Sequence, residues 1–290
     1  MESVRFAIIG GSGLYAMPEL SDVREYDVST PFGPPSDTIR AGTLGGERVA
    51  FLPRHGRGHV LTPSEVPYRA NIYALKSMGV THIVGVSACG SLKDELAPGH
   101  VVIPDQLFDF TKDERGRTFF GHGLVAHVGV ADPFCPELSA LLAEGVAEAG
   151  AAVHWGGAFV TIEGPRFSTR AESQVWRGLG FSIVGMTTSP EAYLAREAEI
   201  AYAIMAHVTD YDVWHQTEAA VTTELVLNVF KKNISLAQQA VVRTIQKLIA
   251  NAPVCSCHSA LSGAIATSPD KITAEVRERL GPIIGKYYPA

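Results

Sequence analysis

The segment VRFAIIGGSGLYAMP, residues 4–18, passes from an apolar run into glycines and then a proline. Apart from Arg5, Val4–Ile9 is apolar and short, as expected of a strand buried on both faces in a sheet covered by helices. Gly11–Ala16 fits the G-x-G-x-x-A form of a dinucleotide fingerprint. Met17–Pro18 argues against that reading, because Pro18 interrupts the helix whose N-terminus would hold the pyrophosphate. Two readings of the turn remain. Its backbone N–H groups and the Ser12 hydroxyl cradle one phosphate, or it is a sharp strand exit with no ligand.

Outward from this segment the chain keeps alternating. Strands are predicted at Val49–Leu52, His82–Val86, His100–Ile103, Ala158–Ile162, Phe181–Gly185 and Ile200–Val208. Helices are predicted at Glu65–Met78, Pro136–Ala149, Arg170–Leu179 and Thr222–Ala250, with a helical tail at Thr273–Tyr288. Such alternation predicts an α/β fold with a mixed, largely parallel central sheet flanked by helices. No linker or repeat divides residues 1–290, so one domain is expected, with 250–290 as a helical extension.

Composition narrows the function classes. A formal charge of −6 over 290 residues gives no basic surface for nucleic acid. No apolar run reaches the roughly 20 residues of a membrane span, and residues 1–5 lead into a strand rather than a signal peptide. A cytoplasmic protein is expected. The four cysteines are too few and too scattered for a disulfide framework, and Cys255 and Cys257 read as free thiols in a loop, with a tight bridge as the alternative. Without CxxC or HExxH, no metal is expected.

Ligands of such sheets bind where strands end, and five polar strand ends stand out: 10–13, 54–55, 87–88, 185–188 and 209–212. Arg54–His55–Gly56–Arg57–Gly58–His59 offers donors suited to phosphate oxygens, or a solvated loop paired with carboxylates. Thr187–Glu191 reads as a helix start, which directs free N–H groups at an anion. Asp210 and Asp212 follow an apolar strand. A carboxylate accepts from a purine amino group and, if protonated, donates to a ring nitrogen, whereas a 6-oxo group would face it unfavourably. Both aspartates also suit loop or capping roles.

Taken in order, the motifs at 8–14, 30–33, 35–37, 54–57, 88–92, 161–168, 186–188, 190–191 and 209–214 resemble the 5′-methylthioadenosine phosphorylases of the trimeric purine nucleoside phosphorylase superfamily. The resemblance runs from Val4 to about Ala250 and implies a phosphorylase/hydrolase-like fold. It implies phosphate-dependent cleavage of 5′-methylthioadenosine to adenine and 5-methylthioribose 1-phosphate, with a purine nucleoside phosphorylase of broader 5′ specificity as the alternative. Inorganic phosphate is then a co-substrate, and no cofactor is implied. The resemblance gives phosphate contacts to Ser12, Arg54, His55, Ser87, Ala88 and Thr187. It places Met186 beneath the ribose, Phe167, Ser168 and Thr209 at the substrate, and Asp210 and Asp212 at the purine as catalytic groups. His127 is implied to complete a neighbouring subunit's site, hence at least a homotrimer, with a dimer of trimers as the larger option. Near the 5′ substituent, Thr223 stands where methylthioadenosine enzymes carry valine.

Overall fold

The computed structural model describes residues 3–11, 13, 14, 17–215 and 222–289, for positions 223 and 225–233 the backbone only. In chain order the elements are β1 (Phe6–Gly10), β2 (Ser21–Tyr26), β3 (Ile39–Leu44), β4 (Glu47–Pro53), α1 (Tyr68–Ser77) and β5 (His82–Ser91). β6 (Val101–Ile103), β7 (Gln106–Asp109), α2 (Pro136–Glu148), β8 (Val153–Trp155), β9 (Ala158–Thr161), α3 (Arg170–Gly178) and β10 (Ile183–Gly185) follow. Last come α4 (Thr188–Glu197), β11 (Ala201–Asp210), α5 (Thr223–Ala250), α6 (Ala274–Arg279) and α7 (Gly281–Ile284).

The strands form one mixed sheet whose main path runs β2-β3-β4-β1-β5-β10-β9-β7, with β11 beside β5, and β6 and β8 beyond it. β1, β4, β5 and β11 are mutually parallel, whereas β2–β3–β4 is an antiparallel edge. The expected α/β architecture with a largely parallel, mixed sheet is therefore present. Buried side chains pack in two large clusters. One includes Ile9, Leu52, Ile72 and Ile204, the other Ile8, Phe51, Leu142 and Val241. Neighbouring strand residues fall into different clusters, as the period of two requires, so both faces are covered and the strands read as apolar runs. Among the described residues no helix is long and apolar enough to cross a membrane.

β5 organises the rest. Along one side it pairs with β11 from His82 to Gly90. On its other side it pairs with β1 at His82–Gly85 and with antiparallel β10 at Gly90–Ser91. Between those two partners, Val86–Cys89 is left open on that side. A gap where a strand changes neighbours is where α/β sheets bind ligands.

Several predicted boundaries shift, each for a local reason. The chain does not leave the sheet at the strand end read at 87–88; β5 runs on to Ser91, because pairing with β11 and β10 overrides the small polar composition there. Helix α1 starts at Tyr68 rather than Glu65, since the Thr62 N–H and hydroxyl both donate to the Glu65 carboxylate and hold a turn. The tail is two short helices that break at Leu280, just before Pro282, which lacks the N–H needed to continue α6.

Candidate active site

The guanidinium of Arg54 leaves the C-terminal end of β4 and points along the gap in β5. It is 3 % exposed. Nε and Nη2 donate to the Glu191 carboxylate at 2.7 and 2.8 Å, Nη1 to Val86 O at 2.9 Å, and Nη2 to Ile9 O at 3.2 Å. A buried arginine must be paired, and here four of its five N–H groups are occupied. Burial opposes its charge, but the Glu191 carboxylate outweighs that and holds the pKa above its usual value. Tyr202 Oη also donates to Glu191, at 2.7 Å. Of the two sequence readings of this loop, phosphate donors or pairing with carboxylates, Arg54 does pair with a carboxylate, Glu191 of α4, but in the core rather than in a solvated loop.

His55, next in the chain, is half-buried. Its Nδ1 lies 2.8 Å from Leu61 O, and its ring stacks on His59 at 4.3 Å. Burial and the Arg54 charge push its pKa down to about 4. The ring is therefore neutral near pH 7, and donation from Nδ1 leaves the lone pair on Nε2. Arg57 and His59, which completed the predicted cationic loop, are exposed, and Arg57 Nε pairs with Asp37 at 3.0 Å.

At the far end of the gap stand the carboxylates. Asp210 closes β11 opposite Gly90. Its Oδ2 lies 2.7 Å from Thr209 Oγ1, and its Oδ1 accepts from Asp212 N at 2.8 Å. Burial raises its pKa to about 6 against those two bonds, and the Asp212 charge adds to the rise. Thr209 Oγ1 also lies 3.2 Å from Cys89 O. A protonated Asp210 can thus donate to Thr209 while Thr209 donates to the carbonyl. Asp212, buried at a positive φ of 51°, is raised by burial as well; the nearby Ser173 and Ser168 hydroxyls favour its charge. They do not reach hydrogen-bond geometry, so Asp212 Oδ2, Ser168 Oγ and Ser173 Oγ are buried without a partner. Three such atoms together are unusual in a folded core and suit a polar ligand.

Gly90 makes this corner possible. A Cβ there would sit 3.0 Å from Asp210 Oδ1, 3.1 Å from Val184 Cγ1 and 3.2 Å from Asp212 Cβ. Gly90→Ala is expected to displace both carboxylates and cut turnover about 10²-fold, the cost of an ångström-scale misplacement, with a smaller change in melting temperature. Steady-state kinetics beside a thermal melt checks this.

Met186 and Thr187 lie between the two ends. β10 runs back along β5, so that a Cβ on Gly185 would be 3.6 Å from Ala88 O, and the chain then turns through Met186 and Thr187 into α4, which carries Glu191. Thr187 is buried at the α4 N-terminus with no side-chain cap bond, and Thr188 Oγ1 and Ser189 Oγ next to it have no partner. Ser87 and Ala88 are half-buried in the gap, with Ser87 Oγ donating to Ala88 O at 3.0 Å. Phe167, half-buried, and Ser168 precede α3. Beside the carboxylates, Leu92, Val160, Ile162, Trp176, Val184 and Trp214 form a small apolar cluster with Met186 against it.

The structure thus brings together Arg54, Ser87, Ala88, Met186, Thr187, Thr209, Asp210 and Asp212, with His55 adjoining Arg54. His127 stands apart: it is exposed, and its N–H donates to Ala264 O at 2.9 Å. Ser12 and the Thr223 side chain lie outside the described residues.

Two residues escaped the sequence reading in their structural roles. Glu191 is one. The other is Arg115, whose buried guanidinium donates to Glu163, to Ser64 Oγ at 3.3 Å, and to the carbonyls of Met186 at 2.6 Å and Ser189 at 3.3 Å. It fastens the Met186–Ser189 turn to the strand exit after β9. A charged residue in a predicted loop gives no hint of burial.

With this geometry in hand, comparisons with known proteins are specific. Residues 5–246 match the family model described as the phosphorylase superfamily. The chain is 56 % identical to the S-methyl-5′-thioadenosine phosphorylase of Chloroflexus aurantiacus, over 99 % of this chain and 100 % of that protein. It is 52 % identical to the enzyme of the same name from Geobacter sulfurreducens, over 99 % and 100 %. Among solved structures, a methylthioadenosine phosphorylase from an antarctic soil metagenomic library superimposes with a TM-score of 0.94 at 49 % identity, covering 98 % of this chain and 99 % of that one. The methylthioadenosine phosphorylase from Schistosoma mansoni in complex with tubercidin gives 0.80 at 39 % identity, over 86 % and 93 %.

Proposed function

This chain belongs to the phosphorylase superfamily, and from that premise we propose that it cleaves 5′-methylthioadenosine with inorganic phosphate, releasing adenine and 5-methylthioribose 1-phosphate. One observation carries the reading: Arg54 and Asp210 lie at opposite ends of one open stretch of β5. Arg54 bonds Val86 O, and Asp210 stands opposite Gly90. Four residues at about 3.3 Å each separate them by roughly 13 Å, room for a phosphate, a ribose and a purine in line.

In this reading phosphate sits at the Arg54 end. Thr187, Ser87, the Ala88 backbone, the remaining Nη1 hydrogen of Arg54 and Ser12 donate to it. Because Glu191 balances the Arg54 charge, the cradle works through fixed donors and the α4 N-terminus more than through net positive charge. His55 offers a lone pair on Nε2 and so accepts a hydrogen bond from a P–OH group of the monoanion H2PO4⁻. Met186 lies beneath the ribose. Attack of a phosphate oxygen on C1′ forms the new C–O bond as the C1′–N9 bond breaks and its electron pair passes into the base. Asp210 delivers a proton at N7, and Asp212 accepts from the amino group; Phe167, Ser168 and Thr209 line the base. The step draws on phosphate as co-substrate and on no organic cofactor. By the resemblance, Thr223 is assigned to the 5′ substituent, and His127 to a neighbouring site in a cytoplasmic trimer or dimer of trimers.

The test is base release from methylthioadenosine, adenosine and inosine, each with and without phosphate. Release that depends on phosphate, with methylthioadenosine fastest and inosine at least about 10⁴-fold poorer, is expected. Equal rates without phosphate would mean a hydrolase and remove the phosphate assignments.

A further inference from the structure

Away from this site, three of the four cysteines converge. Cys135 caps the N-terminus of α2, with its N–H donating to Tyr202 O at 2.8 Å. Cys255 and Cys257 flank Ser256 at the first turn of the C-terminal extension. All three are buried, and their sulfur atoms lie within 4.8 Å of one another. They are free thiols, as the sequence suggests for Cys255 and Cys257, and they are buried. Nothing in the catalytic reading uses them.

We propose that Cys135, Cys255 and Cys257 form a three-thiolate site for one thiophilic d10 metal ion, Zn(II), with His258 as its fourth ligand. The donor set has the softness such ions prefer. With metal–sulfur bonds of about 2.3 Å, a tetrahedral site sets its sulfurs roughly 3.8 Å apart. Sulfurs within 4.8 Å of one another reach that by small side-chain rotations. The Cys135 thiol donates to Glu137 Oε2 at 3.3 Å, which puts a carboxylate at the edge of the group to take up a thiol proton. His258 follows Cys257 directly in the chain, and its Nδ1 lies 3.2 Å from Glu199 O. A ring that donates from Nδ1 keeps its lone pair on Nε2, the outer-shell arrangement found behind metal-bound histidines. The three cysteines are part of the apolar cluster of α2 and α5, and Val254, 96 % exposed beside Cys255, marks the way in. On binding, three S–metal bonds and one N–metal bond form, the thiol protons of Cys135, Cys255 and Cys257 leave to solvent, and no oxidation state changes.

Such a site would staple the C-terminal extension to the body of the fold. The same extension meets Glu199 through Leu261 N at 3.0 Å and Tyr287 Oη at 2.6 Å. It then holds the strip 125–127 through Thr267 Oγ1, 2.8 Å from Val125 N, and Ala264 O. That strip ends at His127.

The test uses the full chain, reduced and stripped with a chelator, then titrated with Zn(II) against a chromophoric chelator and with Cd(II) for thiolate-to-metal absorption. One equivalent per chain is expected, with a Cd(II) band of three thiolates. Cys135→Ser, Cys255→Ser and Cys257→Ser should each weaken binding by about 10- to 100-fold or more, and His258→Gln by about tenfold. The Cd(II) sulfur count on the unaltered chain needs no variant to fold. A count of one thiolate or none, Zn(II) binding unchanged in the triple Cys→Ser variant, or a thiol titration showing two of the four cysteines paired in the reduced preparation would overturn the site.

Discussion

Glu191→Ala is expected to destabilise the fold by about 3–5 kcal/mol, because it strands the Arg54 guanidinium as a buried, uncompensated charge. Glu191 and Arg54 are 1 % and 3 % exposed and share two hydrogen bonds. The change also removes the acceptor of Tyr202 Oη. At about 2 °C or more per kcal/mol for a domain of this size, the melting temperature should fall by roughly 6–10 °C or further. Arg54→Met with Glu191→Leu together should cost less than Glu191→Ala alone, since a paired ion replaced by apolar groups of similar volume is often tolerated. Differential scanning fluorimetry and urea melts of the three proteins decide it. A shift of less than a degree for Glu191→Ala would mean that Arg54 finds water or another anion, and the picture of a neutralised cradle would be wrong. Phosphate should rescue part of the loss in Glu191→Ala, as the anion binds beside the freed charge.

This pair also marks where sequence reasoning reaches its range. Arg54 and Glu191 are separated by 137 positions, and nothing in the local pattern of either says which carboxylate will meet which cation. Arg115 and Glu163 pose the same difficulty. What local chemistry does encode came through: the apolar strands, a helix after Thr187 whose regular part begins only beyond the extended Ser189, and the carboxylates set after an apolar strand. β2 was invisible because Ser-Asp-Val-Arg-Glu-Tyr lies on an exposed edge, almost wholly accessible, where no buried face imposes alternation. β7 and β8 are too short for a period to show. Ser87–Ser91 failed in the opposite direction. Its small polar residues resemble a loop, yet they are what lets a strand run through a ligand site with room beside it. The cysteine triad divides along the same line: Cys255 and Cys257 are adjacent in the chain and suggested each other, while Cys135 joins them only through the packing of α2.

Asp210→Asn should lower kcat by about 10²–10⁴-fold, the usual contribution of a general acid, while leaving the protein at least as stable. The two halves of this expectation come from one fact. Burial lifts the Asp210 pKa from 3.8 to about 6. A folded-state value above the unfolded one means that, between about pH 4 and 6, the native state keeps a proton the unfolded chain has lost. Stability therefore falls as pH rises through that window and stays lower above it, by up to about 3 kcal/mol. Asparagine removes this cost. It can still accept from Asp212 N through its carbonyl and donate to Thr209 Oγ1, which keeps its own bond to Cys89 O. For catalysis the same pKa acts in the same direction, activity also falling as pH rises. If Asp210 must carry the proton that N7 receives, kcat/KM at saturating phosphate should decline about tenfold per pH unit above pH ~6 in the native enzyme, and that limb should be absent from Asp210→Asn. A variant that loses both activity and several degrees of melting temperature would make Asp210 a structural residue. A variant that keeps the descending limb would assign the titration to another group, Asp212 first, since burial raises it too. The decisive combination is a large kinetic loss, an unchanged or higher melting temperature at pH 7, and a flat profile, because only a carboxyl held protonated for the leaving base produces all three.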